Sequence, residues 1–359
     1  NLGDHVVKLR LDENATLPAV DLIAGGPPCQ GFSSAGQRRP GDKRNTLVAV
    51  FAQLIARHRP SCFIFENVEG FLTGENGDRV LDLLMPLVSA GYRIRLRKVN
   101  VANYGVPQLR KRVIAIGGLG WDPLLPEPTH AAHGAPGADL VGKHLPPTPS
   151  VADALRGLPP PADDAPGDPQ GHWAPALAAE ELVRVRALKP GQTMRDLPEE
   201  LWHPSYKRRA FRRVMDGTPT EHRGGAPAGK RRLRSDEPSK AITGGARGEF
   251  LHPIEDRFLT LRECARIQSF PDDFEFKGAI SDQAILIGNA VPPAFAAALA
   301  RAAAEGLSTA QETLRDGALL SFEPTLSAGM SPALQSLCER VRGAFGSGVS
   351  ALQRSFVWD

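Results

Sequence analysis

The sequence predicts an α/β fold, a sheet lobe joined to a smaller and irregular second lobe, and three observations carry that expectation. Short apolar runs stop abruptly at turn residues, segments with helical spacing separate them, and a long Pro-, Gly- and Ala-rich stretch interrupts the alternation. Val20-Asp21-Leu22-Ile23-Ala24 reads as a buried strand ended by Gly25-Gly26-Pro27-Pro28. Thr46 to His58 sets Leu47, Val50, Phe51, Leu54 and Ile55 on one helical face, and Pro60 closes it. Cys62-Phe63-Ile64-Phe65 is a second strand stopping at Glu66-Asn67, and Val80 to Ala90 is a second helix before Gly91. In an open parallel sheet, functional groups gather at the carboxyl ends of strands, where Cys29 and Glu66 both fall.

Farther along, Tyr92 to Val99 and Val113 to Ile116 read as strands flanking an Asn103-Tyr104-Gly105-Val106-Pro107 turn. From about Trp121 to Pro238 the periodicity fades into the irregular lobe. Regular structure returns where Thr260 and Glu263 make a capping box for a helix running through Ser269, stopped by Pro271. Ala284 to Ile287 leads into Gly288-Asn289-Ala290-Val291-Pro292-Pro293 and an Ala-rich helix to about Glu305, where the sheet lobe resumes. The expected division is residues 1–120 for the first part of the sheet lobe, 121–283 for the irregular lobe, 284–306 for the closing segment and 307–359 for a tail. That tail holds one amphipathic segment, Leu334 to Val341, and no identifiable chemistry.

With 359 residues, 42% hydrophobic and 23% charged, the chain can bury a sizeable core. A net charge of +3 does not by itself imply a polyanionic partner, but the basic residues cluster: Lys207, Arg208, Arg209, Arg212, Arg213, Arg223, Lys230, Arg231, Arg232 and Arg234. Such a run reads as a solvated surface or, where the partner is a polyanion, as a set of phosphate contacts. Cys29, Cys62, Cys264 and Cys338 are widely spaced, so neither a disulfide framework nor a metal site is expected. No apolar run is long enough to span a bilayer and no signal-peptide pattern is visible, so no membrane association is expected and a reducing compartment is the default.

Three constellations carry chemistry. Gly25-Gly26-Pro27-Pro28-Cys29-Gln30-Gly31-Phe32-Ser33 holds a thiol just past a strand end, a setting for a nucleophile. Glu66-Asn67-Val68 puts a carboxylate at the end of the adjacent strand, where it can neutralise charge arriving on a heterocycle. In Gln108-Leu109-Arg110-Lys111-Arg112, Gln108, Arg110 and Arg112 alternate toward one face, a pair of guanidinium groups able to hold a carbonyl oxygen, a phosphate or a carboxylate.

These blocks, with Arg262-Glu263-Cys264-Ala265-Arg266-Ile267-Gln268-Ser269-Phe270-Pro271 and Gly288-Asn289-Ala290-Val291-Pro292-Pro293, resemble in order the signature blocks of DNA (cytosine-5)-methyltransferases of bacterial restriction-modification systems. The resemblance implies a Rossmann-like, S-adenosylmethionine-dependent methyltransferase lobe, with residues 121–283 as the target-recognition region, acting on duplex DNA by base flipping in a bacterial cytoplasm. It implies Cys29 as the nucleophile at cytosine C6, Glu66 at N3 and the exocyclic amine, Arg110 at O2, and Arg112 supporting the carboxylate. S-adenosylmethionine would meet Asp4 of Gly3-Asp4, Pro28, Leu47 and Asn289. DNA would meet Ser33, Gln30, Arg208, Arg209, Arg231 and Arg232.

Two departures from the family pattern bear on the expectation. Neither the opening strand with its Gly-rich cofactor loop nor the acidic residue that follows it precedes Asn1, and Gly343-Ala344-Phe345-Gly346-Ser347-Gly348 has no apolar strand before it to serve instead. The sheet lobe is therefore expected to be incomplete at its N-terminal side, with an open sheet edge, poor solubility alone, or a partner chain supplying the loop. A transfer-RNA cytosine methyltransferase and an inactive DNA-binding fragment or subunit of a split enzyme are the alternatives.

Overall fold

The computed structural model describes residues 19–28, 47–132, 144–165, 167–207, 229–309, 316–326 and 329–346. In chain order the sheet lobe opens with β1 (Leu22–Gly25), α1 (Leu47–His58), β2 (Cys62–Val68), α2 (Asp78–Ser89), β3 (Tyr92–Asn100), β4 (Gln108–Leu109) and β5 (Lys111–Leu119). Each follows from its pattern. Val48, Ala52 and Ile55 lie one turn apart and form the buried stripe of α1, while α2 buries Val80, Leu83, Leu84 and Leu87 in the same manner. In β3, buried Tyr92, Ile94 and Leu96 alternate with Arg93, Arg95 and Arg97, the two-residue period of a strand.

The second lobe contributes α3 (Val151–Leu155), α4 (Ala179–Ala187), β6 (Arg231–Arg232), β7 (Ser239–Lys240), α5 (Ala246–Glu249), β8 (Phe250–Leu251) and α6 (Leu261–Ile267). The chain then continues through α7 (Ile280–Asn289), α8 (Pro293–Thr309), β9 (Ala318–Glu323) and α9 (Pro332–Phe345). Thr260 and Glu263 form the expected capping box of α6, and the helix stops short of Ser269, which takes a left-handed φ of 65°.

The main sheet has the order β1-β2-β5-β3-β9. β1 runs parallel to β2 and β3 parallel to β9, but β5 is antiparallel to both β2 and β3, so the sheet is mixed. The reason is local: the link from β3 to β5 is the turn around Val101–Tyr104, too short for a crossover that would keep strands parallel. β1 and β2 still point their carboxyl ends the same way. One sheet face packs on α1, α2 and α9 through Phe63, Phe65, Leu84 and Leu337, and the other on α8 through Ile64, Ile116, Phe295 and Leu299. Two smaller cores build the second lobe, one around Ile242, Leu261 and Ile267 and one around Val185, Met194 and Tyr206.

The segment expected as a tail belongs to the sheet lobe. β9 adds an edge strand beside β3, pinned by Arg97 to Glu323 with Nε–Oε2 and Nη2–Oε1 distances of 2.9 and 3.1 Å. Ser331 caps α9 and Pro332 takes its first turn, which turns Leu334, Leu337, Cys338 and Val341 into the main core. Each such Leu or Val contributes about 1.5–3 kcal/mol of burial, enough to make α9 structural. Among the described residues no single helix is long and apolar enough to cross a membrane; the apolar pair α7–α8 bends by 43° and lays Phe295, Ala298, Leu299 and Ala303 on the sheet.

Candidate active site and family

Parallel pairing sets Gly25 of β1 level with Phe65 of β2, so both chains leave the sheet side by side at their carboxyl ends. Asn67 fastens them: its Nδ2 donates to Pro27 O at 3.0 Å, while its Oδ1 accepts from Val68 N at 2.9 Å. Gly26 lies close to the carboxylate: a Cβ there would come 3.1 Å from Glu66 Oε2, so a side chain would have to displace it. The Gly-Gly-Pro-Pro turn and Glu66-Asn67-Val68 therefore form one unit, with the Glu66 carboxylate against the turn that leads to Cys29.

Arg112 lies opposite Val68 in the β2–β5 ladder, diagonal to Glu66 and on the same face. Its Nε is 2.8 Å from Glu66 Oε1, and its Nη1 donates to Lys111 O at 2.7 Å. Nη2 has no hydrogen bond among the described residues. Burial raises the Glu66 carboxyl above its ordinary range, opposed by the charges of Arg112 and Arg110. Burial likewise lowers Arg112, with Glu66 acting against it.

Arg110 does something else. Only 2% exposed, it donates from Nη1 to Ile242 O at 2.7 Å and from Nη2 to Gly288 O and Ala290 O at 2.9 and 3.1 Å. Burial, then the neighbouring Arg112, brings it down to about 9 against the pull of Glu66. It clasps the second lobe and the end of α7 onto the sheet. Gln108 completes the clasp, its Oε1 accepting from Ile242 N at 3.0 Å and its Nε2 donating to Gln268 Oε1 at 2.6 Å. Instead of facing open space for the base carbonyl expected of Arg110, both of its Nη atoms are engaged by main-chain carbonyls, while its buried Nε has no partner among the described residues.

Arg232 also departs from expectation. At 4% exposure its guanidinium donates to Leu188 O, Val185 O, His252 O, Glu255 O and Asp256 Oδ1, leaving nothing to offer a phosphate. Arg231 is half-buried in β6, with its Nε enclosed and unbonded. Asn289 is the exposed last residue of α7, and Pro28 is exposed while Leu47 is half-buried at the start of α1. Asp4, Cys29, Gln30, Ser33, Arg208 and Arg209 lie outside the described residues. The other cysteines are all buried: Cys62 is pushed up to about 12 by burial, and Cys264 and Cys338 are pushed up by the same cause.

A family model described as C-5 cytosine-specific DNA methylase matches residues 4–133 and 180–305. The chain belongs to the C-5 cytosine-specific DNA methylase family. Among the relatives of this methylase are Type II methyltransferase M1.HphI of Haemophilus parahaemolyticus, 33% identical over 79% of this chain and 68% of that protein, and Type II methyltransferase M.AgeI of Thalassovita gelatinovora, 31% identical over 82% and 85%. A crystal structure of an E. coli prophage-encoded protein described as a DNA modification methyltransferase aligns with a TM-score of 0.56 at 22% identity, over 85% of this chain and 83% of that one, and shows the α/β methyltransferase fold.

Sequence reading missed the role of Gln268, whose Nε2 donates to Ile287 O at 2.5 Å and so joins Gln108 to α7. Its only signal was position beside a capped helix. The Asn67 tie to Pro27 was equally hidden, although Asn next to a strand-end Glu is a residue type that turns favour.

Proposed function

We propose that this methylase transfers a methyl group from S-adenosylmethionine to C5 of cytosine in a specific duplex DNA sequence, through a covalent bond between Cys29 and C6. The observation that supports it most is the tie of Pro27 to Asn67 beside the buried, Arg112-paired Glu66. Cys29 follows Pro27 by two residues, a reach of at most about 7 Å. No other described cysteine can act as nucleophile, because each is buried with its thiol held protonated.

The chemistry follows from these residues. The Cys29 thiolate adds to C6 of an extrahelical cytosine, and electrons move toward N3 and O2. Glu66, its carboxyl raised by burial, shares a proton with N3 and offers its other oxygen to the exocyclic amine. Arg112, with Nη2 uncommitted, is the guanidinium for O2 and holds Glu66 in register, while Arg110 keeps the two lobes together. Electron return through the ring makes C5 nucleophilic. S-adenosylmethionine, when bound, would supply the electrophilic methyl group and leave as the neutral thioether S-adenosylhomocysteine. Loss of the C5 proton to a base then restores the C5–C6 double bond, the C6–S pair leaves with Cys29, and the N3 proton returns to Glu66.

Pro28 and Asn289 are exposed and Leu47 keeps accessible surface, so the described members of the expected cofactor set fit a ligand lying over these element ends, with Asp4 as a further contact. Gln30, Ser33, Arg208, Arg209 and Arg231 would meet the DNA strands. The Type II relatives favour a restriction-modification setting. The test is transfer of labelled methyl groups from S-adenosylmethionine to a random-sequence duplex and, in parallel, to transfer RNA. Label at cytosine C5 of the duplex is expected; label in transfer RNA alone would reverse the reading.

A further inference from the structure

A cleft of about 530 Å³ opens in the second lobe between Trp173, the Gly244–Gly248 segment, Phe258 and the start of α7. The guanidinium carbon of Arg247 lies over the Trp173 ring, 4.3 Å from its centroid. Among the described residues Arg247 has no hydrogen bond and no carboxylate partner. The other arginine of the cleft, Arg257, is spent: it pairs with Glu255 at 2.8 Å and Glu263 at 2.7 Å. The cleft therefore presents one uncommitted cation, fixed in orientation by an aromatic ring, within largely apolar walls.

Its wall is mechanically part of the candidate active site. Ile242, five residues before Arg247, is held on both its N–H and its carbonyl by Gln108 and Arg110. Gly244 lies so close under the end of α7 that a Cβ on Gly288 would come within 2.1 Å of Gly244 N. Asn289 is the next residue, and Arg112, two residues beyond Arg110, grips Glu66. Whatever binds Arg247 is thus registered against the residues proposed to handle the cytosine.

We infer that Arg247, lying over the Trp173 ring, is a specificity-determining residue that reads a guanine of the DNA target through its O6 and N7 acceptors; this rests on the methyltransferase reading above. A guanidinium offers its N–H donors in plane, as a fork. Guanine is the base whose major-groove edge presents two acceptors to such a fork. Phosphate contacts position the protein on the duplex without reading sequence, whereas Arg247 sits in a concave cleft among Leu177, Phe258, Leu259 and Ala284 with Arg257 already paired.

The experiment is equilibrium selection from a random duplex library by the full chain, by Arg247→Ala and by Arg247→Lys, with a salt titration and a 7-deazaguanine version of the selected duplex. The wild type is expected to select a motif containing a guanine at which both variants lose preference by about 10-fold or more. The 7-deaza substitution at that position should weaken the wild type and leave Arg247→Ala unchanged. Uniform weakening on all sequences, with Arg247→Lys keeping the wild-type preference and Arg247→Ala showing a shallower salt slope, would overturn base reading in favour of a phosphate contact. Unchanged selection by both variants, or a wild type that selects no sequence, would overturn it too. Methyl transfer is scored separately on the same proteins, so a chain that selects a guanine but transfers no methyl group refutes the catalytic reading and leaves this one standing.

Discussion

Replacing Cys29 by serine is expected to lower methyl transfer to duplex DNA by about 10⁴-fold or more, the scale on which loss of a covalent nucleophile acts. A serine hydroxyl is smaller than the thiol and a far weaker acid, so it is a poor nucleophile at the pH where a thiolate is present. No second thiol can substitute, since Cys62, Cys264 and Cys338 are buried in the cores. Duplex binding should be unaffected, because the change replaces one reacting atom and leaves the side chain short and uncharged. Single-turnover transfer rates alongside a binding isotherm check this. A variant retaining a tenth of the wild-type rate would remove Cys29 from the reaction.

Glu66→Ala is expected to reduce kcat by about 10²–10⁴-fold, the range of a positioned proton-sharing group. It also strands Arg112, whose Nε loses its partner at 2.8 Å. Glu66→Gln separates the two effects, since an amide keeps a hydrogen-bonding group in place but cannot share a proton with N3. It should recover binding and little of the rate. The pH profile follows from the raised carboxyl. A group whose value is raised holds its proton to higher pH than an ordinary glutamate, so the competent form is full below that value and is lost as pH rises through it. The Cys29 thiolate requires the opposite, so the profile of kcat is bell-shaped. Its high-pH limb should vanish in Glu66→Gln while its low-pH limb persists. A high-pH limb unchanged in that variant would assign it to another group.

The strand and helix pattern around the site was legible because it rests on local rules. The helices α1 and α2, the stop at Gly25-Gly26-Pro27-Pro28 and the Thr260–Glu263 box are all short-range, although α1 fully buries Val48, Ala52 and Ile55 and leaves Leu47, Val50, Phe51 and Leu54 of the expected face only partly buried. What escaped depends on contacts distant in sequence. β9 is a six-residue strand whose place is set by pairing with β3 more than two hundred residues earlier, and no local period marks it. The antiparallel course of β5 depends on the length of one turn. Arg110 and Arg232 show the limit most plainly: a charged side chain in a motif or a basic run carries no label saying whether it faces DNA or main-chain carbonyls. Their guanidinium groups are consumed by Ile242, Gly288 and Ala290 in one case, and by Leu188, Val185, His252 and Glu255 in the other. Alternation in Gln108-Leu109-Arg110-Lys111-Arg112 placed three side chains on one face, but burial divided them into a clasp and a carboxylate partner.

Covalent capture tests the central claim most directly. The chain is incubated with S-adenosylmethionine and a duplex carrying 5-fluorocytosine, in which fluorine at C5 cannot leave as a proton would. The wild type should form an adduct that survives denaturation, with the modified peptide containing Cys29, and Cys29→Ser should form none. An adduct that persists in Cys29→Ser would contradict the account, and so would a wild type that methylates cytosine in duplex DNA yet never becomes trapped.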